Sequence, residues 1–191
     1  MNGARARRGT GLVELLVGTA LGLVVLSLLT AVVGIGGRVL AACGARGEAE
    51  DTAHLAIEAF TFDARRAGFD PAAAGVAPLV EARADRVTFA ADLDGNGAVD
   101  GSSEETAAHV CAPGRLSRII GRQSLPLAEG VTSCAFSYLD ATGAAIGIPA
   151  TGLDAAARAR VRAVALHLAL LPSGLRGRTE RSVVAALRKT P

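Results

Sequence analysis

The hydrophobic pattern divides the chain into an uncharged run, an amphipathic helix and a series of short strands. Residues 15–37 form a stretch of 23 residues without a charge. At about 1.5 Å per residue, a helix of that length spans roughly 34 Å and crosses a bilayer core of about 30 Å. Arg5, Arg7 and Arg8 precede the run. Positive residues stay on the cytoplasmic side, so the pattern predicts a single-pass anchor with everything after Gly37 outside the cytoplasm. A secretory signal peptide has a shorter apolar region, about 7–15 residues, before a small-residue cleavage site. Here the run is longer, and Ala41-Ala42-Cys43 makes only a weak cleavage pattern.

Helical periodicity resumes after the run. Ala53, Ile57, Phe60, Ala64 and Ala67 recur at spacings of four and three and form one apolar stripe, with Glu48, Glu50, Asp51, Glu58, Asp63, Arg65 and Arg66 on the other faces. Gly68 is a good C-cap and Pro71 a good stop. The pattern predicts one extended helix from about Thr10 to Ala67. Its first part, 10–37, would serve the membrane and assembly, and its amphipathic continuation, 38–68, would pack on a head. An S-shaped or interrupted rod fits equally, because Gly34-Ile35-Gly36-Gly37 is a weak point. Each Gly there costs about 1 kcal/mol relative to Ala. Gly18 and Gly22 allow close helix contact in lipid.

Residues 69–191 switch to short strands with turn punctuation. Strands are predicted at 86–90, 106–111, 116–120, 131–139, 161–171 and 179–187, with one helical turn at 154–158. Val164, Leu166, Leu168 and Leu170 fall on one face. The fold class is therefore α+β: a long N-terminal transmembrane helix packed on an antiparallel β-sheet head.

Composition narrows the classes. Half the residues are hydrophobic but 3% are aromatic and none is Trp, so the core must be built from Ala, Val, Leu and Ile. A charged fraction of 20% is too high for a polytopic membrane protein and too evenly mixed in sign for a disordered tail. The net charge of +2 draws no nucleic acid. There is no nucleophile elbow, phosphate loop or HExxH, and His54, His109 and His167 have no partner in sequence, so no enzyme is expected. The Arg groups 158, 160, 162 and 176, 178, 181 read as solvated strand and loop positions.

Two clusters carry candidate chemistry. Asp92, Asp94, Asn96 and Asp100 fall at the first, third, fifth and ninth places of an EF-hand-like loop, with Gly97 at the bend. The twelfth place is Ser103, with Glu104 and Glu105 just after it, and no second helix follows. A Ca²⁺ site and a plain hairpin tip both fit, since Asp-Gly and Asn-Gly favour tight turns. No other cofactor is indicated. Cys111 and Cys134 both lie on predicted strands, so outside the cytoplasm they form a candidate disulfide. Cys43 reads as a small buried residue near the membrane boundary, and no Cys/His spacing suggests zinc.

Glu14 interrupts the apolar stretch near its start. A carboxylate at the centre of a membrane helix costs about 2.5–3.5 kcal/mol, and less near the interface. Glu14 either snorkels to the headgroups or is kept for a partner. The string Arg8-Gly9-Thr10-Gly11-Leu12-Val13-Glu14-Leu15-Leu16 resembles the processing site of type IV prepilins and pseudopilins. It departs from that pattern at Thr10, where Phe is usual, and at Gly11, where Thr or Ser is common. The resemblance implies that 1–9 is a basic leader and that prepilin peptidase cuts between Gly9 and Thr10 and methylates the new N-terminus. It also implies that Glu14 pairs with the N-terminal amine of a neighbouring subunit during assembly.

Three further pieces are similar to PilW-like minor pilins. They are residues 60–69 with Asp63, Arg65 and the run Ala67-Gly68-Phe69, residues 127–140, and residues 182–188. The family implies a type IV pilin-like fold and a structural role at the start or tip of a fibre. Its partners would be other major and minor pilins through the N-terminal helix. Residence would be in the bacterial inner membrane, then in the fibre. A pseudopilin of a type II secretion system shares these features. A DNA-uptake or adhesion module is a further alternative, but loss of 1–9 leaves 17 basic against 18 acidic residues, a net charge of −1, so no nucleic acid is expected.

Overall fold

The computed structural model describes residues 11–171 and 179–188. Gly9 and Thr10 lie outside the described residues, as do Arg176 and Arg178. The chain divides into two compact units, residues 1–44 and 45–191, and the boundary falls inside the first helix.

That helix, α1, runs Leu12–Arg66 without a break and carries Gly34, Gly36 and Gly37 in helical conformation. The propensity cost of three glycines is a few kcal/mol at most, too little by itself to end a helix of this length. In the first unit the large apolar side chains from Leu12 to Leu40 are exposed on every face. The helix has a window of mean hydropathy 2.5, long and apolar enough to cross a membrane. Its hydroxyls are satisfied internally: Thr19 donates to the Leu16 carbonyl at 3.0 Å, Ser27 to that of Val24 at 2.7 Å and Thr30 to that of Ser27 at 2.9 Å. A helix so closed on its own polar groups suits a solvent that offers no hydrogen bonds. Cys43, expected to be buried, is exposed on α1.

The second unit contains the rest of α1 and an antiparallel sheet. Its strands are β1 (Leu79–Ala82), β2 (Arg86–Ala90), β3 (Thr106–Ala112), β4 (Gly114–Ile120), β5 (Gln123–Leu139), β6 (Ala145–Ile146), β7 (Ala163–Leu170) and β8 (Thr179–Ala186). The order is β1-β2-β3-β4-β5-β7-β8, with β6 paired to β5. A short helix, α2 (Ala155–Arg160), precedes β7 and is capped by the Asp154 side chain, which accepts from Ala157 N at 2.7 Å.

β5 turns the corner of the sheet. Its first half, up to Val131, pairs with β4, and from Val131 onward it pairs with β7. Gly130 lies at the corner with φ 69°, a conformation that favours glycine. The alternating pattern predicts only the second half, 131–139, and Pro126 and Gly130 interrupt the first. Pro126 is tolerated opposite Ser117, where the β4–β5 register shifts.

The core lies between α1 and the concave sheet. Ala53, Ala56, Phe60, Ala64 and Ala67 of α1 are buried. So are Val164, Leu166, Leu168 and Leu170 of β7, the face their alternation predicts. Phe60 is the centre, with ring centroids 5.7 Å from Phe89, 5.5 Å from His109 and 5.9 Å from Phe136. Small alanines on one side and bulky rings at one point let a helix approach closely and still fill the space.

Candidate functional site

Three places concentrate polar chemistry: the start of α1 and the acidic loop, both expected from sequence, and the polar end of the buried face of α1, which was not. Glu14 occupies the first turn of α1, and its backbone N–H donates to the Gly11 carbonyl at 2.8 Å. A carboxylate is favoured there by the positive end of the helix dipole. Its side chain is exposed, and no donor among the described residues meets it.

Asp63 behaves oppositely. It was expected on a solvated face, but it is 3% exposed, between Phe60 and Ala64 on the docked stripe. Arg118 of β4 donates to it twice, from Nε to Oδ2 at 2.6 Å and from Nη2 to Oδ1 at 2.5 Å. His109 of β3 meets Oδ2 through Nε2 at 2.8 Å. The carboxylate can only accept, so Nε2 carries the proton of that bond. His109 is fully buried, and its Nδ1 has no partner. Burial opposes the charge on Asp63, but the hydrogen bonds from His109 and Arg118 and the attraction of both outweigh it. They hold the carboxyl below its ordinary range. The shallow cleft beside Asp63 has about 10 Å³ of space, room for about one water. This cluster therefore fastens α1 to β3 and β4.

The acidic loop, residues 91–105, joins β2 to β3 and is no tight hairpin. Asp92 is fully buried, with Oδ1 accepting from Gly95 N at 2.8 Å and Asn96 N at 3.2 Å, and Oδ2 from Gly97 N at 2.9 Å. Glu105 accepts from Leu93 N at 3.0 Å and Asp100 N at 2.8 Å. The amides of Asp100 and Leu93 hold its carboxyl below the usual value.

The four predicted ligands do not gather as a set. Asp92 and Asp94 converge with Glu105, their oxygens within 4.8 Å of one another. Asp100 turns to Ser102, whose N–H and Oγ both lie at 2.8 Å. The Asn96 side chain caps Ala98 N at 2.7 Å and donates to Asp94 at 2.9 Å. Oxygens of Asp92, Asp94 and Glu105 also accept amide hydrogens, so the acids hold the loop's own backbone in shape, and each carboxylate keeps further lone pairs with which the three could hold a cation.

Other candidates find local partners. Cys111 and Cys134 are joined in a disulfide with Cα atoms 5.5 Å apart. His54 lies 3.1 Å from Glu58, one turn along α1, and His167 lies 3.0 Å from Ser137 Oγ on the exposed side of the sheet. Arg158 donates to the Leu153 carbonyl at 2.8 Å, and Arg162 to that of Ala159 at 2.8 Å. Burial raises the Tyr138 hydroxyl above the ordinary phenol range, and that hydroxyl donates to the Arg83 carbonyl at 2.8 Å. No protein-family model matches the chain, and no curated protein matches it.

Proposed function

We propose that this chain is a structural subunit of the type IV pilin class, most similar to PilW-like minor pilins, which is processed after Gly9 and helps to initiate or cap a fibre. The observation that carries the reading is Glu14. It is a lone carboxylate in the first turn of a membrane-length apolar helix, five residues after Gly9 in a basic leader. The α+β head docked on the far end of the same helix supports it. In lipid Glu14 sits near the interface at modest cost. When helices bundle and headgroups are lost, it requires a cation, and the freed α-ammonium of an adjoining subunit supplies one. Such a pair favours one axial step between subunits over others.

In this reading the head lies outside the cytoplasm and the partners are other pilins. The test is mass spectrometry of the protein recovered from cells that contain a prepilin peptidase. The expected species begins at methylated Thr10. A chain that still begins at Met1 would overturn the reading, and one that begins elsewhere would redirect it to simple secretion.

A further inference from the structure

We draw no further inference here: the strongest candidate, the side-chain cluster of Asp92, Asp94 and Glu105 in the loop between β2 and β3, belongs to the site already described, and no second feature among the described residues shows what it would hold.

Discussion

Two carboxylates on one helix meet different fates. Asp63, near the C-terminal end of α1, is buried and takes hydrogen bonds from Arg118 and His109 of its own chain. Glu14, in the first turn, has an exposed side chain amid apolar neighbours and no partner among the described residues. Both sit where a charge is costly once water leaves. The difference teaches where each half of α1 completes its structure. Residues 45–66 bring an alanine face, one aromatic and one acid to a sheet that supplies the matching cations. Residues 12–44 bring an exposed, largely apolar surface with one acid at its start and Arg38 near its end, long and apolar enough to cross a membrane.

The largest expected effect breaks the first half of that comparison. Asp63→Ala leaves a fully buried imidazole and a largely buried guanidinium without their acceptor, a loss of about 3 kcal/mol. Denaturant unfolding of the full chain in micelles measures it. A change under about 1 kcal/mol would show that the cluster is idle. Phe60→Ala, one turn away, should cost a similar 3–4 kcal/mol through the cavity between three rings, and it serves as the apolar control.

The pH dependence follows from the direction of the Asp63 shift. Its carboxyl is held below the ordinary range in the folded head, so its stabilisation is present above the unfolded value, about 3.9, and is lost as pH falls through the lower folded value. The stability gap between wild type and Asp63→Asn should be constant from neutral pH down to about pH 5 and narrow below about pH 4. A gap that closes between pH 7 and 6 would assign the linkage to another group. A smaller effect belongs to the cap of α2. Asp154→Ala, which leaves Ala157 N without its acceptor, should cost about 1 kcal/mol, read from the same unfolding curves.

Why Glu14 was visible in the sequence and Asp63 was not has a physical reason. A charge inside a run of apolar residues contradicts its own neighbours, and that contradiction is local. Asp63 contradicts nothing nearby, because acids flank most amphipathic stripes. Its partners are 46 and 55 residues away, brought near only by the sheet. The available signals were its spacing of three from Phe60, on the docked stripe, and its place in the 60–69 piece that resembles PilW-like minor pilins. Strands with clean alternation, such as β2 and β7, could be read directly. The first half of β5 could not, because a corner glycine and a proline at a register shift look like ends. In the acidic loop the spacing of oxygens was legible but their destination was not. Backbone amides ask for the same acceptors as cations, and only the folded loop shows which amides Asp92 and Glu105 accept from.

The smallest effect on stability sharpens the comparison most. Glu14→Gln keeps the shape of the side chain, removes its charge and exchanges one acceptor oxygen for an NH2 donor. Since its side chain is exposed, unfolding of the head should change by less than about 0.5 kcal/mol. Under the proposed pilin reading, incorporation into fibres should fall by about 10-fold or more, because the α-ammonium of an adjoining subunit would then enter an apolar bundle without a counter-charge. Immunoblots of sheared fibres against the membrane fraction read that ratio. Loss of head stability would mean that the two ends of α1 are energetically coupled. Unchanged incorporation would mean that Glu14 only snorkels to headgroups, leaving α1 as an anchor and the charge without a partner.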